Sequence, residues 1–238
     1  MARASVLIVG SGPDAIRCAD LDLRGFDEVV AINNAWRVAP WTVSIYPDDF
    51  PEDRRPKDVS GRRTVRPDAY VPSQNRYGGV VYAGGTMAFT TAYWVLDALS
   101  PGLVAYLGCD MVYPKTGKSH FYGRGTADPL RQDPTLQSLE AKARRLQAIA
   151  ALQGCAVANL STGPSRLPFP RATVQTVSDV RPVLPDGEAF AQAREAEAQA
   201  GIHVPSGRYW EHGDRIDPGT LSDIDALWLA SYEEAAVA

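Results

Sequence analysis

The sequence predicts an α/β fold with a mainly parallel sheet, helices on both faces of the sheet and a small, mostly helical C-terminal appendage. Short β-rich runs alternate with helical stretches, several of these runs are apolar on both faces, and the alternation weakens after about residue 162. Strands that are apolar on both faces are typical of parallel sheets, because helices cover such sheets on two sides. We therefore expect a nucleotide-binding or catalytic domain over residues 1–165 and an appendage or lid over residues 166–238.

Six short runs are predicted as strands from their β-branched and aromatic content. They are SVLIVG (5–10), EVVAIN (28–33), TVSIY (42–46), GVVYAG (79–84), LVAYLG (103–108) and CAVANLS (155–161). Residues 47–78 are dense in Pro, Arg and Asp, which predicts a long surface excursion with room for one short strand. Long loops in compact domains are often binding segments.

Helices are predicted between and after these strands. Residues 86–99 carry apolar side chains at helical spacing, and a further helix follows the glycine turn near residue 10. Another helix begins near Asp133, a good cap, continues through Pro134 and ends before Gly154. Residues 188–200 and 220–235 predict two helices in the appendage.

The composition excludes several classes of partner. A formal net charge of −4 provides no basic field, so we expect no nucleic-acid partner. No apolar run approaches the roughly 20 residues of a membrane span, and no signal peptide is evident, so a cytoplasmic location is expected. Cys18, Cys109 and Cys155 form no CxxC pair or metal-ligand spacing, which favours buried thiols in a reducing compartment.

A glycine turn follows the first strand. Gly10, Ser11, Gly12 and Pro13 form it, and Ala15 replaces the third glycine of the Gly-x-Gly-x-x-Gly pattern. In a Rossmann-like sheet this turn would present backbone N–H groups to a ligand at the carboxyl ends of the strands. A tight strand-to-helix turn without a ligand is the structural alternative.

The residues after the second strand argue against a dinucleotide. A dinucleotide site calls for an acidic residue there to bind the ribose hydroxyls, whereas this chain has Asn33 and Asn34. Amides can also bind a ribose or a base, so the pattern favours a mononucleotide. A triphosphatase phosphate loop is excluded, because Val112 stands where its first glycine would precede Gly117-Lys118-Ser119.

The loop after the fifth strand holds the densest set of reactive groups in the chain. His120 has a pKa suited to acid-base work near neutrality, although a loop histidine is often merely solvated. Asp110 could act as a base, a metal ligand, an orienting group or a turn cap, whereas Tyr113 and Tyr122 could stabilise a leaving phosphate or simply close the loop over the core. The loop also contains Lys115, Lys118, Ser119 and Arg124.

Three further segments are candidates for the same edge of the sheet. Gly84, Gly85 and Thr86 repeat the strand–glycine–helix device, with Thr86 able to cap a helix or contact a ligand. The pair Asp48-Asp49 could bind Mg²⁺ with phosphate oxygens or be an ordinary pair of loop acids. The segment GRYWEHGD (207–214) could fold over the cleft, which would make its histidine, His212, a second candidate base.

Taken in order, the segments VLIVGSGPDA, VVAINNAW, YAGGTMAFTTAYWVL, VAYLGCDMVYPKTGKSHFYG and LQSLEAKARRLQAIAALQGCAVANLS carry a family resemblance. Over roughly residues 5–165 the chain resembles the small bacterial sialyltransferases of glycosyltransferase family 42. It is also similar to the archaeal hydroxymethylpterin diphosphokinase-like proteins, formerly a domain of unknown function. The first resemblance implies a CMP-sugar donor, phosphate-neutralising tyrosines, a histidine base and no metal or other cofactor.

Carried onto this chain, the resemblance implies a role for most of the candidates. The nucleotide would contact the glycine turn and Asn33, the Gly84–Thr86 turn would contact cytidine or the sugar, and Tyr113 or Tyr122 would contact the phosphate. Three departures are clear: Ser11 replaces an asparagine, Ala83-Gly84-Gly85 replaces Thr-Ser-Gly, and no histidine stands near Leu130, where the family has its base. His120 lies in GKSHFYG, which is closer to the pterin kinase-like pattern.

The leading expectation is therefore a metal-independent glycosyltransferase of sialyltransferase type that transfers a sugar from a CMP-sugar to a hydroxyl of a glycan or small-molecule acceptor. One alternative is a Mg²⁺-dependent diphosphokinase-like enzyme acting on ATP and a small heterocycle. The other is a non-catalytic nucleotide-binding module. The sequence leaves open whether the chain forms a homo-oligomer.

Overall fold

The centre of the fold is a six-stranded sheet in which every pair of neighbouring strands is parallel. The computed structural model describes residues 3–114, 116–124 and 133–232. The strands are β1 (Ser5–Val9), β2 (Glu28–Ile32), β3 (Val43–Ile45), β4 (Arg63–Val65), β5 (Leu103–Leu107) and β6 (Ala156–Asn159). The expected α/β fold with a parallel sheet is confirmed.

The strand order places a switch point between β1 and β5. Along the sheet the order is β4-β3-β2-β1-β5-β6, so the chain first winds outward from β1 through β4 and then restarts on the other side of β1 with β5. Connections that leave neighbouring strands in opposite directions open a crevice at the carboxyl ends of those strands. The loops after β1 and β5 flank that crevice.

Helices cover the sheet unequally on its two faces. The α-helices are α1 (Pro67–Arg76), α2 (Val80–Ala83), α3 (Met87–Leu99), α4 (Leu139–Leu152), α5 (Gly187–Ala200) and α6 (Pro218–Ala230). Side chains of α3 and α4 pack with Val6 and Ile8 of β1, whereas Leu7 and Val9 point to the opposite face. The cover on that face includes two 3₁₀ helices, Pro13–Ala19 and Asn33–Arg37, and residues 172–180.

Several predicted elements need correction. The run 79–84 is not a strand: it forms the short helix α2, bracketed by Gly79 and Gly84 with φ of +92° and +89°. Its side chains are buried on all sides, so the run lacks the periodicity that separates a helix from a strand. The stretch after the glycine turn is a 3₁₀ helix rather than an α-helix, and the excursion 47–78 contains both β4 and the unpredicted α1.

Caps define the starts of the two central helices. The Thr86 hydroxyl accepts a 3.3 Å hydrogen bond from the amide of Phe89 at the start of α3, as the sequence suggested. Asp133 caps only a single 3₁₀ turn, Pro134–Leu136, and Ser138 then caps α4 by accepting from the Ala141 amide at 3.1 Å. The predicted apolar stripe of this helix lies in the core.

Buried polar contacts attach the C-terminal segment to the sheet domain. Arg145 of α4 donates to the carboxylate of Glu197 on α5 at 2.6 Å, and Lys142 donates to Asp225 on α6 at 2.8 Å. Tyr82 joins the same contact by donating its hydroxyl to the Glu197 carbonyl at 2.9 Å. The appendage is therefore packed on α2 and α4, and residues 233–235 of its predicted last helix lie outside the described residues.

Two composition-based expectations can be compared with the structure. Cys18, Cys109 and Cys155 are free and buried, as expected. Within the part of the chain that the structure describes, no helix is both long and apolar enough to cross a membrane.

Candidate active site

A cleft of about 310 Å³ opens at the switch point, at the carboxyl ends of β1, β2 and β5. Its size lies at the lower end of the range for small-molecule sites, roughly 300–1,000 Å³. Eleven of the sequence-predicted site residues line it: Gly10, Ser11, Gly12, Pro13, Asn33, Asn34, Thr86, Asp110, Tyr113, His120 and Tyr122. Segments far apart in the chain thus meet at one place.

The glycine turn is shaped by the loop that follows β5. A Cβ on Gly12 would lie 2.6 Å from the Gly108 carbonyl oxygen, and one on Gly10 would overlap the same atom. The amides of Gly10 and Gly12 donate to Leu107 and Gly108 at 2.9 Å and 2.7 Å. The expected cradle of turn amides therefore reduces to the Ser11 amide, for which no acceptor is found among the described residues.

The two asparagines after β2 lie in the cleft without hydrogen-bond partners for their side-chain oxygens. Asn33 adopts a left-handed backbone conformation with φ of +51°, which is uncommon outside glycine although asparagine tolerates it. Asn34 is only 4% exposed. The Oδ1 atoms of both are buried and accept no hydrogen bond from the described residues. Buried polar groups are normally satisfied, so these two carboxamides indicate a missing donor.

The loop 116–124 is held against the glycine turn. The Phe121 amide donates to the Ser11 carbonyl at 3.0 Å, and His120 and Gly123 exchange backbone hydrogen bonds, each of 3.0 Å. The imidazole stacks on Tyr122 with 5.0 Å between ring centroids, and its Nδ1 lies 2.8 Å from the Ser119 hydroxyl. The histidine is thus fixed on the wall of the cleft.

The environment of His120 favours its neutral form. Partial burial lowers the pKa of the imidazole below its ordinary value of 6.5, because a charged ring is less well solvated there. A tautomer that donates from Nδ1 to Ser119 leaves a lone pair on Nε2. Such a ring can accept a proton near neutral pH.

Asp110 is oriented by β6 and by the segment that follows it. Asn159 donates from Nδ2 to the Asp110 carboxylate at 3.3 Å, and the Arg166 amide donates to the Asp110 carbonyl at 2.9 Å. The next residue, Met111, has φ of +55° and is buried beside the cleft. Strained backbone of this kind clusters at functional sites.

The sequence missed one charged residue of the cleft. Arg54 lines it, in the 3₁₀ turn Glu52–Arg54 of the excursion, and its backbone carbonyl accepts a 2.8 Å hydrogen bond from the indole of Trp36. Among the described residues that line the cleft, Arg54 alone carries a positive side chain. The clustering of arginines in the excursion was visible, but nothing in the sequence indicated which of them turns inward.

Most of the remaining candidates lie outside the cleft. Gly84 ends α2 in tight packing against Phe89 and Lys142, and Gly85 lines a neighbouring cavity rather than the cleft. Asp49 lines the cleft, whereas Asp48 forms an ion pair with Arg66. His212 lines neither cavity, and Lys115 lies outside the described residues.

No group of three or more metal-ligating side chains is found in residues 3–114, 116–124 and 133–232. Comparisons with protein-family models, curated proteins and solved structures gave no match to this chain. The chemistry of the cleft is therefore the basis for proposing a function.

Proposed function

We propose that the protein is a nucleotide-sugar-dependent glycosyltransferase of sialyltransferase type, which uses a CMP-sugar and transfers the sugar to a hydroxyl group. The observation that carries the proposal is the pair of buried carboxamide oxygens of Asn33 and Asn34, which have no partner among the described residues, in a cleft that also holds a fixed histidine whose pKa is lowered by partial burial. The placement of this cleft at the switch point of a parallel sheet supports it.

The carboxamides select for the nucleoside part of the donor. Their buried oxygens need hydrogen-bond donors, and phosphate oxygens are acceptors. Ribose hydroxyls and the exocyclic amino group of cytosine are donors of the right kind. The nucleoside therefore binds beside Asn33 and Asn34.

The phosphate of the donor meets the groups on the other walls of the cleft. Arg54 supplies a positive charge, the Ser11 amide supplies a backbone donor, and the hydroxyls of Tyr113 and Tyr122 can donate to a leaving phosphate. Donors placed where negative charge develops lower the barrier to departure. In this mechanism CMP leaves with the electron pair of the bond between the sugar carbon and the phosphate oxygen.

His120 completes the reaction. Its Nε2 takes the proton of the acceptor hydroxyl as the acceptor oxygen forms the new bond to the sugar carbon. Ser119 orients the ring through Nδ1. Asp110, held by Asn159, is the second group in the cleft that can accept this proton.

Nucleotide binding tests the first half of the proposal. A ligand at 100 times its Kd stabilises the native state by about 2.7 kcal/mol, so the melting temperature should rise with CMP more than with UDP, ATP or NAD, with or without EDTA. Asn33→Ala should abolish the rise. Stabilisation by ATP alone, and only with Mg²⁺, would instead support the diphosphokinase-like alternative.

Turnover tests the second half. Wild-type protein incubated with CMP-sialic acid should release CMP, and a mixture of simple glycosides should accelerate the release. His120→Ala should lower this rate without changing the thermal shift caused by CMP. Tight CMP binding with no release from any CMP-sugar would favour the non-catalytic module.

A further inference from the structure

A second cavity, of about 730 Å³, adjoins the cleft. Its walls are α1, the residues that follow β3 and the C-terminal segment 206–211. Pro47, Asp49 and Met87 line both the cleft and this cavity, so the two spaces meet across these three residues. A molecule in the second cavity would lie next to a nucleotide sugar in the first.

The second cavity is also lined by an exposed aromatic residue. Trp210 is 67% exposed, although large aromatic side chains are usually well buried. Its ring meets the edge of Tyr209 at 5.5 Å between centroids, and the Tyr209 hydroxyl donates to the carboxylate of Asp133. The C-terminal segment thus presents a flat apolar ring to the cavity from a fixed support.

The charges around this cavity leave an excess of carboxylate. Asp48 is paired with Arg66, and Arg208 is paired with Glu211 at 3.6 Å. Asp49 and Asp68 also line the cavity, and within the described part of the chain neither has an ion-pair partner. Two acidic groups and an aromatic face are therefore offered to the same occupant.

We infer that this second cavity is the acceptor site, and that it takes a neutral or amine-bearing saccharide. This inference rests on the proposed function, because only a transferase has an acceptor. One apolar face of a sugar ring packs on Trp210, while ring hydroxyls or an ammonium group donate to Asp49 and Asp68. An anionic sugar such as a uronic acid is disfavoured by the two unpaired carboxylates.

The test is a titration of the full-length protein with three methyl glycosides of the same ring size. Methyl glucoside is neutral, methyl glucosaminide carries an ammonium group, and methyl glucuronide carries a carboxylate. The change in tryptophan fluorescence should reach its half-maximum at the lowest concentration for the glucosaminide, at a higher one for the glucoside and at the highest for the glucuronide. Raising the salt concentration should narrow the difference in affinity between the glucosaminide and the glucuronide, because salt screens exposed charges.

Two variants and two matched controls locate the effect. Trp210→Ala should abolish the fluorescence response, and Asp68→Asn should reduce the preference for the glucosaminide at least threefold. Leu184→Ala removes another exposed apolar side chain, in the appendage but outside the cavity, and Asp20→Asn neutralises an exposed carboxylate outside the cavity. Both controls should leave the titrations unchanged.

Three results would overturn the inference: equal or tighter binding of the glucuronide, an unchanged response in Trp210→Ala, or sedimentation showing a dimer that Trp210→Ala dissociates. These titrations contain no nucleotide, so they do not depend on the proposed donor. Failure of CMP to bind would remove the proposed function while leaving a saccharide site. Conversely, CMP binding without any response to the saccharides would overturn the acceptor site while leaving the proposed donor site. If both bind, Trp210→Ala should raise the acceptor KM.

Discussion

The backbone amide of Phe121 donates a 3.0 Å hydrogen bond to the carbonyl of Ser11. This bond joins the loop that carries His120 to the turn that follows β1, although more than a hundred residues separate them in the chain. The histidine next to Phe121 is thereby held on the same cleft as the glycine turn. The reactive side chain and the turn therefore keep a constant spacing.

Substitution of His120 should lower transfer and change its pH dependence. A general base contributes about 10²–10⁴-fold to a rate, so His120→Gln should lose an amount in that range. Because burial lowers the pKa of His120 below 6.5, the wild-type kcat/KM should be flat near pH 7 and fall only in more acidic solution. The measurement is a pH profile of CMP release in the presence of acceptor. A His120→Gln profile that keeps the wild-type acid limb would show that His120 is not the group responsible for it.

The same shift has a consequence for stability. The unfolded chain binds a proton at His120 at higher pH than the folded protein does, because the folded pKa is the lower of the two. The free energy of unfolding should therefore decrease as the pH falls through 6.5. His120→Gln should remove this component, as measured by urea unfolding at a series of pH values.

Asn33→Gly should raise the stability of the protein while weakening its binding of CMP. Glycine adopts the φ of +51° without the cost that a side chain carries, and the substitution removes a buried unpartnered carboxamide oxygen. We expect urea unfolding to show a gain of about 1 kcal/mol, since leaving such a group unpaired costs about 1–3 kcal/mol. The Kd for CMP should rise at least tenfold. A destabilised variant with normal CMP binding would contradict both expectations.

Gly12→Ala should destabilise the protein through contact with backbone. The added methyl group would meet the Gly108 carbonyl oxygen at 2.6 Å, and neither backbone segment can turn away as a side chain could. Overpacking of this kind costs about 1–3 kcal/mol. Gly25→Ala is the matched control, because a Cβ there has no atom within 4 Å. Equal midpoints of urea unfolding for the two variants would refute the steric explanation.

Glu197→Gln should lower the free energy of unfolding far more than Glu140→Gln. The guanidinium of Arg145 and the carboxylate of Glu197 are 0% and 4% exposed, whereas Arg166 and Glu140 are 42% and 41% exposed. Breaking a buried pair costs about 3–5 kcal/mol, because one charge stays buried alone. An exposed pair contributes about 0–1 kcal/mol. Denaturant unfolding of both variants measures the difference.

The carboxylate of Glu197 also predicts a pH dependence. Its burial opposes ionisation, but the charge of Arg145 and its hydrogen bonds outweigh burial, so the pKa lies below the ordinary value of 4.5. A lowered pKa means that the unfolded chain takes up the proton first, so this stabilisation is complete above pH 4.5 and is lost as the pH falls through the folded pKa. Glu197→Gln should flatten the acid limb of the stability curve.

The fold was predictable from the sequence because its strands are short, apolar and separated by marked turns. The exception is α2. Its residues Val80, Val81, Tyr82 and Ala83 are all buried, so the alternation of apolar and polar residues that distinguishes a helix from a strand is missing. Helix α1 was missed for the opposite reason. It contains Pro72 and mostly polar residues, and it lies in a segment whose composition indicates a loop.

The part of the cleft formed by residues at strand ends was predictable from the sequence. Residues that directly follow parallel strands meet at one edge, which brought Asn33, Asp110 and the glycine turn together correctly. Arg54 and the second cavity depend on how an irregular excursion and a C-terminal segment fold back in three dimensions. The amides of Gly10 and Gly12 donate to the loop that follows β5, and the pattern of strands in the sequence does not reveal that these two loops cross.

The two cavities share Pro47, Asp49 and Met87 but differ in most of their lining. The cleft is lined largely by residues that follow strands, whereas residues 206–211 line the second cavity and not the cleft. If the second cavity is the acceptor site that we propose, substitutions in this short stretch should change acceptor choice while the cleft stays intact. Under the proposed function, a library confined to the exposed positions Ser206, Arg208, Trp210 and Glu211 would explore new acceptors and leave the buried Tyr209 in place.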